Sequence, residues 1–369
     1  MVFDAKKFIS TLFIVITFVS LYFLDRDRTN ASNLLILNSI LSIFTFISLV
    51  FFPYAYRSIL RYNISLYDVG LLTILITSFV LTVFFRKYIN VHWVYLIGFL
   101  IISYFEVKNI NVSLLKVLIG LAIISICYQL LTSESVGRRT LTYIDPNYSS
   151  MVIYFLGILC LKLKYRTFGY LILSLGLLTL SRNYMLALIV FFTVQYVCRR
   201  DIIHRFICSF FRPWVILLIV CILPVAINLW FLSVASMTDV VTNSADTKLS
   251  GSLIDSSNLH RSLANIRFVE DLGSNPMKYI FGSDSGVYIE NIFMNTPHHA
   301  VFQMVLNYGY IFTLAYLLLF FKRCYQSCRT SKFNTSFYSG LITYFMILGG
   351  GINGIFVYMI ALVLVDFED

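Results

Sequence analysis

This sequence is short of charge. Asp, Glu, Lys and Arg make up 12% of its 369 residues, while 59% are hydrophobic. Soluble domains carry about 25% charged residues. A single soluble core cannot absorb that much apolar surface, so the composition indicates a polytopic membrane protein. The short alternating segments of a membrane β-barrel are also missing, which leaves helical spans. There is no P-loop, no Asp-x-Asp nucleotide-sugar motif in a soluble domain, and no His-Glu-x-x-His. The first apolar run, residues 8–24, lacks a small-residue cleavage site and reads as a first span rather than a signal peptide. No internal repeat or low-complexity segment stands out.

What charge there is leans positive, with a net of +10. Nucleic acid is not expected as a partner, because the basic residues are scattered over short loops where they set membrane orientation. Each helical span needs about 20 mostly apolar residues. Apolar runs mark twelve spans, at about 8–24, 34–52, 66–85, 91–105, 114–131, 148–163, 168–180, 184–198, 214–234, 299–321, 337–349 and 353–367. With the amino terminus inside, most lysines and arginines fall in internal loops, among them Lys6, Arg57, Lys108, Lys162, Arg199, Arg200, Arg205, Arg212, Lys322 and Lys332. The short external loops hold fewer: Arg26, Arg28, Arg86, Lys87, Arg138, Arg139 and Arg182. That contrast places both termini in the cytoplasm. The expected fold is an all-α polytopic membrane protein, one membrane-embedded domain over residues 1–369. A single long external loop, residues 235–297, separates spans nine and ten.

None of the seven cysteines falls in an external loop on this topology, which fits a protein without disulfides. Cys324 and Cys328 sit four apart in a basic loop with no partner pair, a weak zinc signal. Residues 199–212 are basic and amphipathic and read as an interfacial connector on the inner leaflet. Gly349, Gly350, Gly351 and Gly354 read as the tight external turn between the last two spans.

The long loop has structure of its own. Ser256 to Leu272 reads as a helix, with Asp255 as its cap and Asn275-Pro276 as its stop. His260, Ala264, Arg267 and Asp271 share one face. Leu259, Leu263, Ile266 and Val269 form an adjacent apolar stripe. Such a helix can lie on the outer membrane surface and present Arg267 sideways.

Positive residues on the external side are the anomalies of the orientation argument. Arg138 and Arg139 precede span six, and Arg139 is nearer the helix start. Arg182, in Ser181-Arg182-Asn183, sits at the membrane boundary, where a guanidinium must snorkel or be paired. Several arginines at one boundary suit a diphosphate, whose oxygens match the guanidinium fork. Asp145-Pro146-Asn147 opens span six. Asp and Pro there are ordinary helix-start residues, but Asn147 can face a polar site. His298 and His299 follow Pro297 at the outer start of span ten. A boundary histidine is commonly interfacial, but one beside an arginine-bearing loop can accept a proton from a sugar hydroxyl.

The order of these pieces resembles the bacterial O-antigen polymerase and ligase superfamily. The matching segments are Asp145-Pro146-Asn147, Ser181-Arg182-Asn183-Tyr184, Arg267 followed by Asn275-Pro276, Gly282 and Gly286, and Pro297 to Gln303 with Gly309 after it. The chain departs from the family pattern at His299, where Asn is usual, and in its degenerate glycine run. The resemblance implies a metal-independent GT-C-type helical glycosyltransferase without a cofactor. Its substrate would be an oligosaccharide on undecaprenyl diphosphate, at the periplasmic face of the bacterial inner membrane. His298 and Arg267 would be catalytic. Arg139, Arg182, Arg261, Asn147 and His299 would hold diphosphate or glycan. The bilayer, and a chain-length regulator protein, complete the expected partners.

Polymerase and ligase share this chemistry and differ in acceptor, another lipid-linked repeat or the lipid A core. The length and the Asp-Pro-Asn element favour a polymerase. A polyprenyl-phosphate sugar transferase using Asp25 or Asp27 is a second enzyme reading. A flippase for the same lipid-linked sugar is the reading from another class, and it would show midplane charges and two-fold internal similarity.

Overall fold

The computed structural model describes residues 11–12, 14–15, 17–19, 22, 65–86, 112–135, 137–141, 146–237, 256–283, 297, 299–347 and 360. Helix accounts for nearly all of their secondary structure, as an all-α chain requires. The helices are α1 (Leu66–Arg86), α2 (Val112–Thr132), α3 (Pro146–Lys162), α4 (Arg166–Leu175), α5 (Arg182–Val197), α6 (Asp201–Phe210), α7 (Pro213–Met237), α8 (Ser256–Ser274), α9 (Ala300–Tyr308), α10 (Tyr310–Thr330) and α11 (Lys332–Ile347). A two-stranded antiparallel ribbon, β1 (Glu134–Ser135) and β2 (Arg138–Arg139), links α2 to α3. The expected spans at 34–52 and 91–105, most of 8–24 and of 353–367, and the turn at 349–354 lie outside the described residues.

Among the described residues, two helices are long and apolar enough to cross a membrane: α2, and α7 over Pro213–Trp230. The 21 residues of α2 reach about 30 Å, one hydrocarbon thickness. Helix α2 is apolar on both sides. It buries Leu115, Leu118, Ile119, Ala122, Ile126 and Leu130 and exposes Val117, Leu121, Ile124, Tyr128 and Leu131. Helices α1, α5 and α7 likewise leave Ile76, Phe84, Ile189, Leu218, Ile222 and Trp230 exposed. A water-facing helix would carry a polar outer face.

Two pairs of packed helices run antiparallel. Lys332, at the start of α11, donates to the Arg199 carbonyl just beyond α5 at 3.0 Å, while Gly340 lies against the carbonyl of Ala187. So α5 and α11 are antiparallel. Lys322, late in α10, pairs with Asp68 at the start of α1 at 2.6 Å, and Phe85 at the far end of α1 stacks on Phe281 at 5.1 Å. One end of the bundle therefore gathers residues 65–68, 199–212 and 322–335. The other gathers 138–141, 146–147, 179–182, 276–283 and 299–309. Tyr22 bridges the first helical segment to the core, donating to the Val152 carbonyl at 3.1 Å while its own carbonyl accepts from Ser125 and Gln129.

Three local expectations change. The tenth span is not one helix: Gly309, at φ 85 and ψ 158, separates α9 from α10. The basic loop expected after residue 321 is helical instead, and only Ser331 separates α10 from α11. Arg323, Cys324 and Cys328 are consequently buried side chains of α10 rather than loop residues. Finally, α8 buries Ser262, Ala264, Asn265 and Phe268, and leaves the expected stripe of Leu263, Ile266 and Val269 half-buried. Its neighbour is the bundle, so the face it buries is the one that fits helix partners.

Candidate functional site

Two groups of the expected residues lie at one end of the bundle. The first is built around Asn147. Pro146 is the first residue of α3, where its missing N–H costs nothing and its fixed φ suits a helix start. Ser181 caps α5 by accepting from the Tyr184 N–H, and its hydroxyl donates to Asn147 Oδ1 at 2.7 Å. One side chain thus ties the starts of α3 and α5 together. The chain after β2 is held by Leu141 N–H, which donates to Ser149 Oγ at 3.0 Å. Arg139 is half-buried and donates from Nη1 to the Leu131 carbonyl at 3.3 Å. Arg182 is exposed as the first residue of α5. Asp145 lies outside the described residues.

The second group is helix α8 and the segment it docks on. Phe268 is fully buried and meets Tyr279 at 5.4 Å and Phe302 at 5.6 Å. Phe302 also meets the His299 ring at 4.6 Å. This aromatic run fixes α8 against the start of α9. His299 is fully buried, and neither ring nitrogen has a hydrogen-bond partner among the described residues. Arg261 shares the docked side of α8 with Asn265 and Phe268 and is half-buried, whereas Arg267 is exposed. His298, the residue of greatest sequence interest, lies outside the described residues.

Glycine sets the seam between this loop and the bundle. Gly282 and Gly309 both have positive φ, 78 and 85. A Cβ on Gly309 would collide with the Ile280 carbonyl oxygen, and one on Gly282 would come within 2.8 Å of the backbone at Asn307 and Gly309. The two backbones therefore touch directly, which only glycine permits. At the break, Ser283 N–H donates to the Leu306 carbonyl at 2.5 Å. In a continuous helix that carbonyl would have served Tyr310.

The turn after α8 is closed by Asp271. It accepts from Asn275 at 2.9 Å, from Lys278 at 2.8 Å, and from the Tyr279 hydroxyl. Partial burial alone would raise this carboxyl, but the hydrogen bonds from Lys278, Tyr279 and Asn275 prevail and hold it below its ordinary value. This explains the stop at Asn275-Pro276, which the sequence marked without showing its partner.

Chemically, the end of the bundle offers cationic and amide donors at an apolar rim, and a buried imidazole packed on Phe302. Sequence reasoning did not find the buried Ser262 and Asn265, the Ser181–Asn147 bond, or the Asp271 turn. Only the last had a local signal, Asp271 lying four residues before Asn275. Comparison with protein-family models, curated proteins and solved structures returned no match.

Proposed function

We propose that this chain is an O-antigen polymerase of the bacterial inner membrane. On this reading it joins undecaprenyl-diphosphate-linked repeat units at the periplasmic face. Twelve spans cross the bilayer and both termini are cytoplasmic. The observation that supports it most is the gathering of Arg139, Asn147, Ser181, Arg182 and the arginine-bearing α8 at the end of the bundle that the topology places outside. A lipid-linked diphosphate presents its charge at that depth, with its prenyl chain among the exposed apolar side chains of the helices.

The reaction breaks the bond between the anomeric carbon of the growing glycan and its diphosphate. The hydroxyl of the next unit forms the new bond to that carbon. The acceptor's proton passes to His298, and the diphosphate leaves on its lipid. Arg139, Arg182 and Arg267 meet the charge that develops on the leaving oxygens, and preorganised cations there favour the transition state over the ground state. Asn147, Arg261 and His299 hold glycan or diphosphate. Energy for the step lies in the donor's own diphosphate bond, so no nucleotide enters.

The test is the surface-polysaccharide ladder of a deletion strain, rescued with wild type or with His298→Ala. A single repeat on lipid A core, with the ladder restored by wild type alone, is the expected result. Bare core with outward-facing glycan left on the carrier would make the chain a ligase. Glycan trapped on the inner face would make it a flippase. An unchanged ladder would remove it from this pathway.

A further inference from the structure

Helix α6 is divided into three sectors. His204 and Cys208 face the bundle: the His204 ring lies 3.0 Å from the Cys328 carbonyl and 3.1 Å from Thr335 Oγ1, and Cys208 Sγ lies 3.3 Å from His204. At 100° per residue, Asp201, Arg205 and Ser209 form a second, polar sector. Ile202, Phe206 and Phe210 form the third, and they are 83%, 63% and 44% exposed. Phe206 and Phe210 stack edge to face at 5.1 Å, which keeps this sector ordered while it is uncovered. Phe211 turns inward at the helix end against Tyr338, and Trp214 stands exposed just beyond.

The charges around this helix are one-sided. Arg199, Arg200, Arg205 and Arg212 are all exposed. The one carboxylate among them, Asp201, is engaged by Lys332 at 2.6 Å. Lys332 also holds the Arg199 carbonyl, so the helix is pinned at both its start and its buried face. A helix fixed to its own bundle on one side, water-facing on the second and apolar on the third matches a surface lying at a bilayer interface. Exposed arginines before, beside and after the apolar sector match anionic headgroups, whose phosphate oxygens fit the guanidinium fork.

We propose that α6 with its flanking arginines is a binding surface for anionic phospholipid at the end of the bundle opposite the arginine–asparagine group. Ile202, Phe206 and Phe210 enter the acyl boundary, and Arg199, Arg200, Arg205 and Arg212 hold lipid phosphates. The inference rests on the membrane reading and goes beyond the glycan chemistry, since none of these residues belongs to the proposed reaction.

The test uses the full chain purified in micelles with equal phosphatidylglycerol and phosphatidylcholine, with retained lipids counted by native mass spectrometry. Wild type is expected to retain phosphatidylglycerol several-fold over phosphatidylcholine, and the preference should shrink as salt rises and screens the arginines. Combined Arg199→Gln, Arg200→Gln, Arg205→Gln and Arg212→Gln substitutions should abolish it at unchanged melting temperature. A headgroup photo-crosslinker on phosphatidylglycerol should map to residues 199–212, which keeps the test decisive if the variant fails to fold. Equal retention of the two lipids by wild type, a salt-insensitive preference, or crosslinks confined to other segments would overturn the proposal. Glycan polymerisation surviving those outcomes would leave the reading of the opposite end intact.

Discussion

Gly309 shows how much one residue decides. Its φ of 85 is open to glycine alone, and its backbone lies against Ile280 and Gly282. Gly309→Ala is expected to cost about 2 kcal/mol or more, from backbone strain and from parting two touching backbones. Gly120→Ala is the control, because nothing lies within 4 Å of its added carbon. A helix-interior glycine with open space should gain a few tenths to about 1 kcal/mol on becoming alanine. Thermal unfolding of the two variants in one detergent separates these effects. Asp271 makes a second residue-scale prediction. Its carboxyl is held below its ordinary value in the folded chain, so it contributes stability above that value and loses it as pH falls through the folded one. Asp271→Asn should therefore speed hydrogen exchange in residues 256–283 at neutral pH. The difference from wild type should vanish once the pH is well below about 4.

At the scale of elements, α8 depends on its aromatic dock. Phe268 is the side chain that reaches both Tyr279 and Phe302. Phe268→Ala should cost about 3 kcal/mol at a buried site. The effect should be local: limited proteolysis should cut within residues 256–283 while α5 and α11 stay protected. Proteolysis spread evenly over the chain would mean that α8 is not a separable unit. Element starts were largely legible in the sequence. Pro146, Ser181 and Asn275-Pro276 carry their signals in one to three residues, and each sits where a helix begins or ends. The break at Gly309 was not legible, because a lone glycine in an apolar run becomes a break only through Gly282, a residue 27 positions earlier. The buried face of α8 was missed for a similar reason. Ser262 and Asn265 look like a solvent face until the partner helix is known, and a periodicity argument assigns apolar stripes to the membrane by default.

At the scale of the whole molecule, the antiparallel pairing of α1 with α10 and of α5 with α11 is the organising fact. The Lys322–Asp68 pair fixes the start of α1 to α10, and the Phe85–Phe281 stack fixes the far end of α1 to the segment that follows α8. Asp68 is fully buried and also accepts from Ser65. Asp68→Ala should destabilise the α1–α10 contact by about 2 kcal/mol, the usual worth of a hydrogen bond to a charged group. The loss should show in thermal unfolding without moving either end of the bundle. Placing every basic residue after position 321 in a loop misjudged this region: with apolar neighbours on α11, α10 simply continues, and Arg323 is carried inside. The polar end of the bundle was legible as a set of residues in order along the chain. Its division into an Asn147 group and an α8 group was not, since both depend on side-chain contacts between distant segments.

The central claim is tested most directly by reconstitution. The purified chain in nanodiscs would receive undecaprenyl-diphosphate-linked repeat units, and the lipid-linked products would be sized on a gel. The account predicts a ladder of lengthening glycan on the carrier lipid without added nucleotide. Arg267→Ala should lower its rate about 100-fold, as loss of one charge-stabilising donor does. A single band of unchanged donor from a folded wild-type chain, or a ladder of equal rate from Arg267→Ala, would contradict it.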